Sequence, residues 1–185
     1  MEYPNWFKSY AEPNFKEYLT KKDGMHVLQL GVYTGDASLW MLENLGDIRL
    51  TDVDTWKGSD EELHKTMDFE DVYDTYLSKI KDYQVDIRRS TTIHYLIMQH
   101  GAGKVFDFIY VDADHTTIGV LMDAELSWPL LKAGGIMAFD DYTWGQELTP
   151  DLTPTLGIDL FLARHEGEYE VLVINAQVWI KKNDN

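Results

Sequence analysis

The sequence predicts a doubly wound α/β fold built on a mostly parallel sheet. Apolar runs of strand length alternate along the chain with segments whose apolar residues recur at helical spacing. One run, at residues 105–111, is almost continuous and rich in β-branched and aromatic side chains, as expected of a central parallel strand covered on both faces. The 185 residues, 44% of them hydrophobic, fit one domain with a substantial core.

Residues 1–24 are predicted to form an N-terminal arm or partial lid, and residues 25–185 a single domain. Pro4 and Pro13 limit any helix in the arm to short pieces such as 14–21. The aromatic residues of the arm are expected to be core or interface anchors. They are Tyr3, Trp6, Phe7 and Tyr10.

The first half of the domain alternates strands and helices. The predicted strands lie at residues 27–30, 48–53 and 85–88. The predicted helices lie at residues 37–45, 69–80 and 93–100. In the first helix, Ala37, Trp40 and Met41 recur at helical spacing, and Gly46 ends the helix.

The second half continues the pattern after the strand at residues 105–111. A helix over 118–126 cannot continue through Pro129, and a turn at 133–135 leads into a fifth strand that ends at Phe139. Thr153 and Pro154 are predicted as the N-cap and first residue of a helix over Leu156 to His165. The apolar segment 168–181 predicts final strands at an antiparallel edge.

Composition excludes several classes of protein. The formal net charge of −16 disfavours nucleic acid as a partner, because such affinity is supplied largely by Lys and Arg on phosphates. No stretch is apolar enough to span a membrane, and the N-terminus lacks the features of a signal peptide. There is no Cys, so a metal would need oxygen or His ligands. We expect a cytoplasmic protein.

A glycine-containing turn indicates a nucleotide cofactor. Gly31 and Gly35 lie between the first strand and its helix, and Asp54 ends the second strand, where an acid can bind ribose. A dinucleotide is disfavoured because Tyr33 replaces a further glycine and Asp36 would repel a phosphate at the helix start. S-adenosylmethionine has no phosphate and carries positive charge, so it suits this acidic turn. A purely structural strand-to-helix turn is the alternative.

These features carry a resemblance to a known family. The segments VLQLGVYTGDASLW, DVDTWKGS, FDFIYVDADHTTIGVLMDAELSWPLLKAGGIMAFDDYTW and TPTLGIDLF resemble class I S-adenosylmethionine-dependent methyltransferases. The most similar branch is that of the small metal-dependent sugar and macrolide O-methyltransferases of the mycinamicin type. The resemblance spans residues 27–181 and implies a Rossmann-like, seven-stranded sheet whose last strand is antiparallel. Gln29 departs from the wider class, where an acid is usual, and Tyr33 departs where glycine is usual.

The resemblance also implies roles for individual residues. Asp112, Asp140 and Asp141 match the three metal ligands of the metal-dependent branch, and His115 matches the general base. The implied cofactor-binding residues are Gly31, Tyr33, Gly35, Asp54, Thr55, Trp56, Ser90 and Asp112. The rings of Trp56, Tyr142 and Trp144 are candidates for stacking on adenine or substrate, whereas Trp128 is expected to pack in the core. Asp114 receives no role.

Electrostatics supports a cation at the acidic strand tips. Carboxylates about 5 Å apart repel by roughly 3 kcal/mol per pair at an effective dielectric constant near 20. Asp112, Asp140 and Asp141 must therefore raise their pKa values, spread into water or bind a cation. Oxygen ligands favour Mg²⁺, with Mn²⁺ or Ca²⁺ as alternatives.

The sequence thus predicts an S-adenosylmethionine-dependent O-methyltransferase acting on a hydroxyl of a small sugar, polyol or catechol-like molecule. A divalent cation would lower the pKa of the hydroxyl, and His115 would remove its proton. Two alternatives stay open: a metal-independent methyltransferase of the same fold, and a catalytically silent cofactor-binding or assembly module. A homo-oligomer, in which a second subunit supplies a lid, is also left open.

Overall fold

The computed structural model describes residues 3–59, 62, 64–101 and 105–184. Within these residues the chain forms a seven-stranded sheet of order β3-β2-β1-β4-β5-β7-β6. The strands are β1 His26–Leu30, β2 Arg49–Asp54, β3 Val85–Arg89, β4 Phe106–Val111, β5 Leu131–Phe139, β6 Tyr169–Ile174 and β7 Val178–Lys182. The first five strands run parallel, and β7 lies antiparallel between β5 and β6. The predicted fold class, with its antiparallel edge, is confirmed.

Helices cover both faces of the sheet. They are α1 Glu12–Tyr18, α2 Asp36–Asn44, α3 Phe69–Ile80, α4 Thr92–Gln99, α5 Thr117–Ser127 and α6 Pro154–Arg164. A π-helical segment precedes α1, and 3-10 turns precede α3 and α6 and follow α5. Helices α2 to α5 lie within about two residues of their predicted positions, although α5 leaves Ile118 and Met122 exposed. Within the described residues, no helix is long and apolar enough to cross a bilayer.

Two predicted boundaries are wrong, whereas the predicted N-cap residue of α6 is in place but lacks its hydrogen bond. Strand β5 begins at Leu131, so the turn expected at 133–135 is instead an irregular part of the strand, where its register with β4 shifts. Thr153 occupies the N-cap of α6 but makes no capping hydrogen bond, since its hydroxyl donates to the carbonyl of Pro150 at 3.0 Å. Helix α1 begins at Glu12, because Pro13 is tolerated in a first helical turn.

The arm packs into the core of one sheet face. Phe15 of α1 is fully buried, and its ring lies 5.7 Å from that of Phe108, 5.0 Å from that of Tyr110 and 5.1 Å from that of Trp179. Trp6, at the start of the arm, is 39% exposed and lies 5.0 Å from the ring of Tyr33. The arm therefore joins the core of the sheet to the glycine turn.

The sheet brings the tips of β1 and β4 together. These two strands are adjacent and parallel, with Leu30 paired with Val111, and the chain winds in opposite directions on either side of them. In open α/β sheets, ligands bind in the crevice at the carboxyl ends of the strands where this reversal occurs. The turn after Leu30 and the acids after Val111 therefore lie at one edge.

Candidate active site

The turn after β1 has a left-handed backbone at three positions. Gly31 has a φ of 81° and Gly35 a φ of 76°, and Tyr33 adopts a φ of 54° although it is not a glycine. A Cβ added at Gly31 would lie 1.8 Å from the carbonyl oxygen of Asp112. The glycine turn and the tip of β4 are therefore in direct contact, and no side chain fits between them.

Asp54 holds the glycine turn through its carboxylate. One oxygen accepts the backbone N–H groups of Val32 at 2.7 Å and Tyr33 at 3.0 Å, and the other accepts that of Trp56 at 2.7 Å. A carboxylate has about four lone-pair sites. Asp54 thus lies at the end of β2 as predicted, organises the turn, and retains one site for a hydroxyl donor such as a ribose.

Trp56 lies in the core instead of facing a ligand. Its indole is 1% exposed and packs at 4.7 Å from the ring of Tyr73 and 5.0 Å from that of Tyr76. The indole N–H donates to the carbonyl of Tyr33 at 2.9 Å. The expectation that this ring stacks on adenine or substrate is therefore wrong in this structure, because neighbouring tyrosines cover it.

The contacts of Gln29 explain why an amide stands at this position, where the wider class has an acid. The side chain is 1% exposed, its amide N–H donates to the carbonyl of Gly31 at 2.9 Å, and its amide oxygen accepts from Ser38 at 3.0 Å. An ionised acid could not donate to the carbonyl of Gly31. The neutral amide of Gln29 therefore holds Gly31, the first residue of the turn, in place.

Thr55 and Ser90 lie beside Asp54 at the same edge of the sheet. The backbone N–H of Ser90 donates to the carbonyl of Asp54 at 2.9 Å, and the carbonyl of Thr55 accepts from the side chain of Arg89 at 3.4 Å. Their position at the tips of β2 and β3 is the one predicted for cofactor-binding residues.

Asp112, His115 and Asp141 converge at the tips of β4 and β5. One ligand atom from each lies within 4.8 Å of the others. The Nε2 atom of His115 is 3.0 Å from a carboxylate oxygen of Asp141 and 3.9 Å from one of Asp112. Asp141 reaches this position with a left-handed backbone, at a φ of 57°.

Asp140 does not join this group. Its carboxylate accepts hydrogen bonds from the hydroxyl of Tyr110, from the side-chain amide of Gln177 at 3.1 Å and from the backbone N–H of Asp141 at 2.8 Å. The predicted triad of aspartates is thus replaced by two aspartates and a histidine. The physical reason is that donors on β4 and beside β7 hold the Asp140 carboxylate inside the sheet.

The pKa values of Asp112, in the cluster, and of Asp140, beside it, are shifted. Burial, followed by the charge of Asp140, raises the pKa of Asp112 well above its ordinary value. Burial, followed by the charge of Asp141, raises the pKa of Asp140 to about 6. Both carboxyls therefore favour the neutral form more than an exposed aspartate does, and a cation nearby would oppose that shift.

The arrangement suits a hard divalent cation. Asp112 and Asp141 offer carboxylate oxygens, the ligands that Mg²⁺, Mn²⁺ and Ca²⁺ prefer, and a cation would relieve their mutual repulsion. His115 is near enough to be a third ligand or to act as a base beside the ion. The Asp140 carboxylate accepts three hydrogen bonds and, like Asp54, keeps one lone-pair site, but it is not among the residues whose ligand atoms converge.

Comparison with known proteins identifies the family. Residues 28–142 match the family model described as a methyltransferase domain. The chain belongs to this methyltransferase family. It is also 29% identical, over 117 residues, to the "Probable caffeoyl-CoA O-methyltransferase 3" of Dictyostelium discoideum; the match covers 62% of this chain and 42% of that relative. The chain thus spans less than half the length of this curated relative.

Solved structures share the fold of this methyltransferase. The O-methyltransferase of Bacillus cereus in complex with SAH superposes with a TM-score of 0.64 at 17% identity, covering 86% of this chain and 74% of that one. MycE, from the mycinamycin biosynthetic pathway, in complex with Mg, SAH and mycinamycin VI, gives a TM-score of 0.58 at 17% identity, covering 99% of this chain and 51% of that one. The sheet is therefore that of Rossmann-like methyltransferases.

Three further aromatic residues singled out from the sequence have different surroundings. The ring of Trp144 lies 5.0 Å from that of His115, so it borders the position expected for an acceptor. Tyr142 is tied by its hydroxyl to Asp159 of α6 at 2.9 Å. Trp128 is 5% exposed, as predicted for a core residue.

Asp114 has a local structural role. Its carboxylate accepts the backbone N–H of Thr116 at 2.8 Å, just before α5 begins, and a Cβ on Gly119 would lie 2.1 Å from its carboxyl carbon. This Asx-type turn is a common role for an aspartate that precedes a helix. Asp114 therefore shapes the loop that presents His115.

Sequence reasoning missed the buried polar residues behind the site. Asp52 and Gln177 are fully buried, and Tyr110 and Tyr76 donate to aspartates from inside the core. A signal was present, because Asp52 and Gln177 each interrupt an apolar strand segment. Buried polar groups in such positions are usually hydrogen-bonded to something that matters for the local structure.

Proposed function

We propose that this protein is an S-adenosylmethionine-dependent O-methyltransferase that methylates a hydroxyl of a small sugar, polyol or catechol-like molecule, assisted by a divalent cation. The observation that carries the proposal is the contact between the glycine turn and the acid cluster. Gly31 faces the backbone of Asp112, and the side chain of Asp112 belongs to the group with His115 and Asp141. A donor bound by the turn would lie next to an acceptor held by the cluster.

The relatives support the same chemistry. The Dictyostelium relative is named as an O-methyltransferase, the Bacillus cereus structure contains SAH, and the MycE structure contains Mg together with SAH and mycinamycin VI. S-adenosylmethionine, when bound, supplies a methyl group activated by a sulfonium sulfur. The glycine turn and Asp54 would bind and orient it, with Thr55 and Ser90 at the adenosine side.

His115 is the residue that would accept the proton of the acceptor hydroxyl. Its Nε2 atom lies 3.0 Å from Asp141, which would stabilise the imidazolium formed when the proton arrives. The hydroxyl oxygen would form its bond to the methyl carbon as the carbon–sulfur bond breaks, and the electron pair would remain on sulfur. Such a direct displacement depends chiefly on alignment, which the turn and Trp144 would provide.

Asp112 and Asp141 are the residues that would hold the cation. A bound divalent ion supplies Lewis acidity, which lowers the pKa of a coordinated hydroxyl and fixes its orientation. The two carboxylates follow adjacent strands and their oxygens lie close together, so they would hold the ion at the edge of the sheet beside His115.

A metal-independent methyltransferase is the second candidate. The 3.0 Å contact between His115 and Asp141 favours it, because a base oriented by an acid needs no metal to accept a proton. In that mechanism Asp112 would orient the acceptor hydroxyl by a hydrogen bond.

Turnover with a labelled methyl donor tests the proposal and separates the two candidates. The chain is incubated with methyl-labelled S-adenosylmethionine and a panel of sugars, polyols and catechols, with and without EDTA. We expect labelled product from at least one acceptor, its loss with EDTA and its return with excess Mg²⁺. Product formation that is insensitive to EDTA would favour the metal-independent candidate, and SAH binding without any product would contradict both.

A further inference from the structure

The glycine turn and its neighbour Trp56 share an unusual backbone conformation. Tyr33 has a φ of 54° and Trp56 a φ of 46°, although neither is a glycine. Left-handed conformations of bulky residues are strained and persist only where surrounding contacts hold them. The two residues are joined by the hydrogen bond from the indole of Trp56 to the carbonyl of Tyr33 at 2.9 Å.

The hydrogen bonds to Asp54 hold only part of this strained backbone in place. It accepts the backbone N–H groups of Tyr33 and Trp56, and so fixes the peptide nitrogens of both residues. The carbonyl of Tyr33 and the indole of Trp56 lie beyond its reach along the chain. Something else must hold the indole in the orientation that lets it donate.

Tyr76 of α3 supplies the second support. Its ring is fully buried and packs 5.0 Å from the indole of Trp56, with an angle of 31° between the planes. The same ring lies under Gly35, where an added Cβ would be 2.5 Å from a ring carbon. Tyr76 therefore contacts the far end of the turn and the indole that holds its middle.

Asp52 of β2 fixes Tyr76 in turn. The Tyr76 hydroxyl donates to a carboxylate oxygen of Asp52 at 2.9 Å, and Asp52 is fully buried beneath the turn. A single hydrogen bond to a rigid central strand thus sets the position of a ring on a helix. Without it, the ring would be restrained by packing alone.

We propose that Asp52 and Tyr76 are positioning residues for the methyl donor. The pair holds Trp56 against Tyr33 and supports Gly35, so the turn has its binding conformation before the donor arrives. This inference rests on the proposed function, because it takes the glycine turn as the donor site. Preorganisation of this kind raises affinity by reducing what must be ordered on binding.

Calorimetric titration of the full chain with SAH tests the proposal. Tyr76→Phe removes the hydroxyl and keeps the ring, and we expect SAH affinity to fall about fivefold, the effect of one neutral hydrogen bond. Asp52→Ala removes the acceptor of the Tyr76 hydroxyl and should lower SAH affinity to a similar extent. Steady-state rates should show a raised KM for S-adenosylmethionine in Tyr76→Phe with kcat little changed.

Tyr169→Phe is the matched control. Tyr169 is a partly buried tyrosine whose hydroxyl donates to the carbonyl of Leu162 at 3.0 Å, on β6, at the far edge of the sheet. It should lose thermal stability to a similar extent but keep its SAH affinity. If the parent binds SAH and Tyr76→Phe binds it equally well, the positioning role is wrong; if the parent does not bind SAH, the proposed function itself fails.

Discussion

His115 lies between the carboxylates of Asp112 and Asp141 and the ring of Trp144. The residue is held by Asp141 at 3.0 Å and by the ring of Trp144 at 5.0 Å, while the loop before it is shaped by Asp114. A neutral imidazole in such a setting can accept a proton from a neighbouring hydroxyl. His165 also contacts carboxylates and a tryptophan ring, so what distinguishes His115 is its place beside Asp112 and Asp141 at the tips of β4 and β5.

His115→Ala should abolish most turnover without affecting donor binding. Removal of a general base lowers kcat by about 10²- to 10⁴-fold. Because the His115 ring contacts Asp141 and Trp144, on the acceptor side of the site, SAH affinity measured by calorimetry should stay within about twofold. His100→Ala, at the exposed end of α4, is the control and should keep full activity. An unchanged rate in His115→Ala would remove this residue from the mechanism.

Asp52 should make the stability of the fold depend on pH. Burial raises the pKa of Asp52 to about 7 from 3.8. Between these pH values the folded state keeps a proton that the unfolded state has lost, so the free energy of unfolding falls as pH rises, by up to about 1.4 kcal/mol per pH unit. The contribution is complete below pH 3.8 and is lost as pH passes about 7.

Urea unfolding of the parent and of Asp52→Asn between pH 5 and about 8 measures this effect. The asparagine side chain of the variant cannot titrate, so the stability of the variant relative to the parent should increase as pH rises. Asp123 and Asp140, whose pKa values burial raises to about 7 and about 6, are present in both proteins and cancel in the difference. A constant difference across the range would show that Asp52 is ionised throughout.

At the scale of elements, the glycine turn requires a left-handed backbone at Gly31 and also close contact between Gly31 and the tip of β4. Gly31 and Gly24 have nearly the same φ, 81° and 78°. A Cβ on Gly31 would meet the carbonyl of Asp112 at 1.8 Å, whereas a Cβ on Gly24 would meet nothing within 4 Å. Comparing substitutions at these two glycines therefore separates the cost of backbone strain from the cost of disturbing the close approach of β1 and β4.

Gly24→Ala should cost about 1–2 kcal/mol, the penalty of a left-handed backbone for an L-residue. Gly31→Ala should cost more than about 3 kcal/mol, because the tip of β4 must also move. Chemical denaturation measures both free energies of unfolding. Equal losses would mean that the two strand tips are not in firm contact.

Helices and strands were predictable where the sequence of the segment itself determines its structure. Helices α2 to α5 followed from the spacing of their apolar residues, and strand β4 from its continuous apolar run. The start of β5 was not predictable, since the residues around Gly134 are held in the strand by a shifted pairing with β4. Pairing of this kind depends on a partner that local sequence does not specify.

Prediction of the site was limited in the same way, by contacts that local sequence does not specify. Asp112 and Asp141 were placed at one edge because they follow parallel strands, whose carboxyl ends meet. The orientation of Asp140 was not predictable, because it is set by Tyr110 on one strand and by Gln177, 37 residues away in sequence. Likewise, the burial of Trp56 depends on Tyr73 and Tyr76 of α3.

At the scale of the whole molecule, the topology unites donor and acceptor chemistry. The order β3-β2-β1-β4-β5 places the turn after β1 between Asp54 on one side and Asp112 on the other. Asp141 follows from β5, the next strand along. A methyl donor and a hydroxyl acceptor would thus be held by consecutive strand tips of one rigid sheet.

A crystal structure of the chain with SAH and Mn²⁺ tests the central claim most directly. We expect SAH against Gly31 and Asp54, and an anomalous manganese signal on the carboxylates of Asp112 and Asp141 beside His115. SAH on the turn without manganese would support the metal-independent mechanism. SAH bound away from the turn, or a manganese site remote from Asp112 and Asp141, would contradict the claim that donor and acceptor meet at these strand tips.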